Sequence, residues 1–326
     1  MADDRFDRQR LPPAEAARRL HERHLQRMAA PTALLDPVPP IIADTLWRGL
    51  LRAGQARLLV VRATQTVQEA AQRIGCSPDV TLLLGQLITG TLLLRSTLNP
   101  EDRLQLNLNH QGPVGAISID AWQAGGVRAY VSHPQEELRA FGFLVGEGTL
   151  QVSRTSGDGR SYNSQVALDG TTVDEFLMAY LLESEQILSI LTSDVVVDAD
   201  GAVAHAYGYL LQMMPEGSRD DMRQIADNVA ALPPLHDGMT EADPDARVWA
   251  HALLRGFVWD QVAREPVAFV CRCSRDRMVS MLSSLPARDI AELAHGSAPL
   301  ELVCDYCRER YVLRPAELKV LLAEPS

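Results

Sequence analysis

Four of the five cysteines in this chain of 326 residues fall in two tight pairs near its end, in the stretches FVCRCSRDR and LELVCDYCRERY. One pair is Cys271-Arg272-Cys273 and the other is Cys304-Asp305-Tyr306-Cys307, with the thirty residues Ser274 to Val303 between them. Alternate side chains of an extended strand point the same way, so Cys271 and Cys273 can face one point in space. A tight turn brings both sulfurs of a C-x-x-C to one side, as in zinc ribbons. Two such pairs can converge into a four-sulfur tetrahedron. Soft thiolates in that geometry favour Zn2+, with an iron–sulfur cluster as the main competitor. Two inert buried dithiols would leave the pairing unexplained.

The energetics of so small a module make the metal decisive. Residues 266–326 offer little apolar core, worth a few kcal/mol for a unit of this size. Structural zinc contributes roughly 10–16 kcal/mol of apparent folding free energy in small peptides. Four protein ligands close the site and leave no place for a catalytic water, which weighs against zinc hydrolysis. The same sulfurs stay oxidisable as thiolates, so a module built on them has a stability that depends on redox state. Arg272, Arg275, Arg277, Arg308 and Arg310 are near in sequence and can offset the negative charge of a tetrathiolate centre. His295, the one histidine in the module, is a weaker ligand candidate, and Cys76 reads as structural.

Charge narrows the function classes. The formal net charge is −11, unfavourable for general nucleic-acid binding, which needs excess Lys and Arg. Residues 266–326 hold seven Arg and one Lys against eight acids, so a zinc-ribbon nucleic-acid-binding regulator is kept only as an alternative. The N-terminus MADDRFDRQR has acids where a secretory leader needs a basic start. The most apolar run, Val80 to Leu94, is too short to span a bilayer and reads as a buried core helix. A cytoplasmic location and no membrane partner are expected, and paired cysteines there point to metal or redox chemistry. No nucleophile–base–orienter set is evident; Ser184, Glu185 and Gln186 are adjacent on a predicted helix and point in different directions.

Patterning divides the chain into four parts. Residues 1–44 read as an N-terminal extension, with a short helix after Pro12 and Pro13 and a proline-rich linker; His21 and His24 there belong to a solvated charged face. Residues 45–215 read as an α+β core domain with a largely antiparallel sheet. Its helices are TVQEAAQRIG, the apolar run and TTVDEFLMAYLLESEQILSIL, the last capped by Thr172. RLQLNLN, VGAISIDAW, GVRAYVS and TLQVSRT alternate with period two, and VVVDADGAVAHAYGYLLQMMP reads as two strands around a turn. Residues 216–265 read as a helical linker. SRDDMRQIADNVAAL is an amphipathic helix capped by Ser218, and a second helix, ARVWAHALLRGFVW, follows Pro244. Two helices make no core alone, so they must lie on something and form a conditional contact. Residues 266–326 form the cysteine module, with a helix after Ser274, strands PLELVC and ERYVL, and a last helix from Pro315.

The spacing Cys271-x-Cys273, thirty residues, Cys304-x-x-Cys307-x-x-x-Tyr311 resembles the zinc module of the heat shock protein 33 family of redox-regulated chaperones. CRCSRDRM and CDYCRERYVL are similar to that module on both sides of the ligands. The likeness runs upstream through YLLQMMPEG, YLLESEQ, GVRAYV, QGPVGAISIDAW and TVQEAA, covering roughly residues 45–326. The resemblance implies an ATP-independent holdase that is inactive while reduced and bound to one zinc through Cys271, Cys273, Cys304 and Cys307. It implies that oxidation forms the disulfides Cys271–Cys273 and Cys304–Cys307 and releases zinc. The linker then unfolds, and the protein dimerises and binds unfolding client proteins. The chain departs from the family pattern in residues 1–44, in HAYGYLL around Ala206 to Gly208, and in Gly296 to Leu302 before Cys304.

Overall fold

The structure is a computed structural model and describes residues 43–122, 125–137, 146–168, 172–233, 235, 246–296 and 298–318. The N-terminal extension up to residue 42, with His21 and His24, lies outside the described residues. Two compact units follow one another in the chain, Met1–Phe269 and Val270–Ser326.

The first unit holds two sheets. One comprises β1 (Thr45–Leu51), β2 (Ala56–Arg62), β8 (Ser189–Val197), β9 (Val203–Met213) and β10 (Trp259–Pro266), in the antiparallel order β10-β1-β2-β9-β8. The other comprises β3 (Arg103–His110), β4 (Ile117–Trp122), β5 (Gly126–Val131), β6 (Gly148–Thr155), β7 (Ser161–Ala167) and β11 (Ala268–Phe269), in the order β11-β5-β4-β3-β6-β7. Its pairings are antiparallel except for the short parallel contact of β11 with β5. The α+β, largely antiparallel class therefore stands, with two sheets in place of one.

Between the sheets runs α2 (Pro78–Arg95), preceded by α1 (Thr64–Ile74). Ser77 caps α2, its Oγ accepting from the Val80 amide at 3.2 Å, and Pro78 supplies the fixed φ of a first turn. Leucines occupy the helix on every side, so it has no solvent face; it packs on β2, β8 and β9 and also on β3, β4 and β5. The apolar run is thus a core helix. Close approach requires glycine on β9: a Cβ on Gly208 would lie 2.6 Å from Cγ2 of Thr89. The local departure at HAYGYLL keeps a glycine at this point of helix contact.

Residues of the predicted linker cover the outer face of the five-stranded sheet. α4 (Arg219–Ala230) follows α3 (Val173–Glu183), and each begins with a reciprocal capping box, Ser218 with Asp221 and Thr172 with Glu175. α5 (Ala246–Leu253) comes next. Ile225 and Val229 from α4, and Trp249, Ala250 and Leu253 from α5, join Trp47, Leu51, Leu58, Tyr209 and Leu211 of the sheet in one buried cluster. The helices rest on the sheet, as two helices with one apolar face each must.

Three parts of the patterning resolve differently. The helix expected to run to Leu191 stops at Glu183; Gln186 takes φ 55°, and Ser189–Val197 form β8. The second linker helix stops at Leu253, because Gly256 takes φ 89° and the chain turns into β10. Both differences have one source: short runs rich in apolar residues fit either period, and pairing with a neighbour decides. β1, β2 and β7 also escape the patterning. β2 is buried along most of its length and β7 is exposed along most of its length, so neither shows clear alternation.

Candidate metal centre

The second unit, described by itself, is small. α6 (Arg275–Leu282) is capped by Ser274, whose Oγ accepts from the Arg277 amide at 3.3 Å. α7 (Ala287–His295) follows, a helix the patterning does not isolate, and then the hairpin β12 (Leu300–Val303) with β13 (Arg310–Leu313). Residues 315–318 begin the expected last turn of helix at Pro315. The apolar core is Leu282, Ala294, Leu313 and Leu318, with Val279, Leu300 and Leu302 partly buried against it. Ile290 is buried as well; so few buried apolar side chains for a unit this size make the burial free energy modest.

Beside this core all four paired cysteines meet. Their sulfurs lie within 4.8 Å of one another. Cys271 Sγ is 3.7 Å from Cys304 Sγ, and Cys273 Sγ is 3.3 Å from Cys307 Sγ. Zinc–sulfur bonds of about 2.3 Å in a tetrahedron place sulfurs about 3.8 Å apart, whereas a disulfide needs about 2.05 Å. The four are free thiols at near-ligand spacing. His295 ends α7 exposed and is not among the clustered residues.

Local backbone explains the convergence. The second pair sits on a tight turn after β12. The Arg308 amide donates to Cys304 O at 2.8 Å and the Cys304 amide to Glu309 O at 2.9 Å, while Arg308 takes φ 59°. That folds Cys307 back onto the side of Cys304. The first pair lies in irregular chain after β11 ends at Phe269, not within the strand that alternation suggests. Its end is fixed by the start of α6 and by a hydrogen bond from Arg277 to Arg272 O. Tyr311 on β13 donates from its hydroxyl to Cys273 Sγ at 3.1 Å. The spacing marks Tyr311 as part of the motif, but nothing in the sequence shows where its hydroxyl points.

The electrostatics call for a cation. Cys304 and Cys307 are buried, and burial, first of all, pushes the Cys307 thiol far up; its hydrogen bonds with Cys273, Cys271 and Cys304 push the same way. The Tyr311 phenol is also raised, chiefly by its hydrogen bond to Cys273. Four thiols packed this closely cannot ionise together without a positive charge among them, and a divalent ion reverses that balance. The arginines do not supply it in full: Arg275 pairs with Glu317 and Arg310 with Glu301. The donor set fits a soft, tetrahedral divalent metal. Cys76 stands apart between α1 and α2, half-buried, its amide closing the end of α1 on Ala71 O at 3.0 Å.

Among the described residues no helix is long and apolar enough to cross a membrane. The family model for Hsp33 protein matches residues 44–314. A 33 kDa chaperonin of Geobacter sulfurreducens is 32% identical over 288 residues, spanning 86% of this chain and 95% of that protein. One from Thermus thermophilus is 32% identical over 295 residues, spanning 85% of this chain and 86% of its own length. The solved structure of a 33 kDa chaperonin, a heat shock protein 33 homologue from Thermotoga maritima, superposes with a TM-score of 0.78 at 27% identity, covering 86% of this chain and 98% of that one.

Proposed function

Since this chain belongs to the Hsp33 family of chaperones, we propose that it is an ATP-independent holdase switched by oxidation, with zinc held by Cys271, Cys273, Cys304 and Cys307. The observation that carries the reading is the convergence of four thiols within 4.8 Å beside a small apolar core. When bound, zinc keeps the sulfurs as thiolates and crosslinks the loop after β11 to the hairpin β12–β13.

Oxidant removes two electrons from each pair of zinc-held thiolates. Peroxide takes both electrons, takes up two protons from the solvent and leaves as two waters, and one sulfur–sulfur bond forms per pair as the ligands are lost to zinc. In this reading the bonds are Cys271–Cys273 and Cys304–Cys307. In the folded module sulfur contacts also run across these pairs, Cys271 to Cys304 at 3.7 Å and Cys273 to Cys307 at 3.3 Å. A disulfide needs sulfurs about 2.05 Å apart, so closing either pair pulls sulfurs out of the cluster and consumes ligands that crosslinked the module. The fold of residues 266–326 and the docking of residues 216–265 are lost together. Apolar surface under α4 and α5, centred on Trp47, Leu51, Leu58, Tyr209 and Leu211, then becomes available to unfolding proteins, and dimerisation follows.

The test pairs metal content with chaperone assay. Reduced protein should carry one zinc and leave a denatured client to aggregate; after hypochlorite, or peroxide with mild heat, it should have released the zinc and suppress aggregation without ATP. Equal suppression by both forms rejects the switch.

A further inference from the structure

The last part of the linker is not helix but the edge strand of a sheet. β10 pairs with β1 from Thr45↔Pro266 to Leu51↔Trp259. The ladder is bracketed by backbone bonds from Val267 N to Asp44 O, 3.0 Å, and from Arg52 N to Val258 O, 2.8 Å. Its side chains contribute little to this seat. Every residue of β10 is exposed or half-exposed, and Val258 and Val262 beside and within it are 64% and 58% exposed. A bulge between Arg48 and Gly49 breaks the register at Val262. β10 is held mainly by main-chain hydrogen bonds, which any extended polypeptide can make.

Only a few side chains shape the site. Trp259 meets Trp47 edge to face at the rim of the buried cluster. Arg48, partly buried, pairs with Glu265 at 3.4 Å, and on the solvent side Arg52 pairs with Asp260 at 2.7 Å. If residues 216–265 detach, as the reading above has it, β1 is left with a row of unpaired N–H and C=O groups beside a newly bared apolar shelf.

We propose that the edge of β1, Thr45 to Leu51, is a strand-addition site for extended segments of unfolding proteins, occupied in the reduced protein by β10 as an internal stand-in. This rests on the redox-switch reading and adds the mode of binding to it. The favoured occupant places an aromatic or large aliphatic side chain where Trp259 sits and an acidic one opposite Arg48 or Arg52. Main-chain pairing gives breadth of clientele, because it does not read sequence.

The experiment is hydrogen exchange on the full chain, following the β1 amides in three states: reduced, hypochlorite-oxidised, and oxidised with guanidine-unfolded citrate synthase. Zinc content and light scattering are recorded on the same samples. The expected result is exchange in Thr45 to Leu51 faster by about tenfold or more on oxidation, with protection restored when the client is held. Protection unchanged on oxidation overturns the proposal, since β10 has then stayed in place. So does a client held in solution while β1 still exchanges fast. Protection that returns without client, in step with protein concentration, assigns the edge to a second copy and also overturns it. Failure of the underlying switch reads out separately, as zinc retained or aggregation unsuppressed.

Discussion

Trp259 and Trp47 meet edge to face, ring centroids 5.3 Å apart with planes at 83°. One ring belongs to the final strand of the predicted linker and the other to the sheet that the linker covers. His251 of α5 also meets Trp259 edge to face, its ring centroid 4.8 Å away. Here the last strand of the predicted linker is fastened by a side chain as well as by its backbone.

Trp259→Ala should therefore loosen the linker in the reduced protein. Loss of the aromatic pair and of a half-buried indole is worth about 2 kcal/mol, which raises the open population roughly thirtyfold. Limited proteolysis within residues 216–265 should accelerate by a similar factor while zinc stays bound. An unchanged cleavage rate would show that the tryptophan pair does not fasten the linker.

Stripping the metal should unfold the second unit. The core around Leu282 and Leu313 is small, against roughly 10–16 kcal/mol for a structural zinc site. A strong chelator under reducing conditions is expected to abolish exchange protection across residues 275–313, and returned zinc to restore it. A module that stays folded after chelation would contradict the role given to the four thiols.

Tyr311→Phe removes the hydroxyl that donates to Cys273 Sγ and leaves the ring. A hydrogen bond to a thiolate stabilises it and lowers its reactivity, by about 1 kcal/mol, so zinc release under peroxide should run about fivefold faster. Thermal stability of the reduced protein should change little. The readout is a chromogenic zinc indicator; equal release rates would remove Tyr311 from the control of oxidation.

A pH dependence is built into the first unit. Asp174 is buried at the start of α3, and its carboxylate accepts from Ser193 Oγ at 2.5 Å and from the Ser193 amide at 3.0 Å. Burial outweighs these bonds and raises its pKa from 3.8 to about 7. The folded state thus holds this proton longer than the unfolded state. Its favourable contribution is complete below the unfolded value and is lost as pH rises toward about 7. The melting temperature of the first unit should fall between about pH 4 and pH 7, and Asp174→Asn should flatten that slope. A parallel slope in the variant would assign the dependence to another group.

The cysteine spacing, the caps at Thr172, Ser218 and Ser274, and the apolar run of α2 are legible in the sequence because each is local. A cap needs a hydroxyl at one position, a ligand pair needs one turn, and a helix with no polar face must be buried. Family membership follows from the same local motifs. Tertiary structure alone decided that Ser189–Val197 and Trp259–Pro266 are strands, that the described residues of the first unit form two sheets with a helix between them, and that the linker ends as an edge strand against β1. It also decided that the Tyr311 hydroxyl meets Cys273. The physical reason is common to these cases: a strand's backbone is satisfied only by another strand distant in sequence, and a side chain's partner is set by packing. Neither is encoded in the spacing of a short segment.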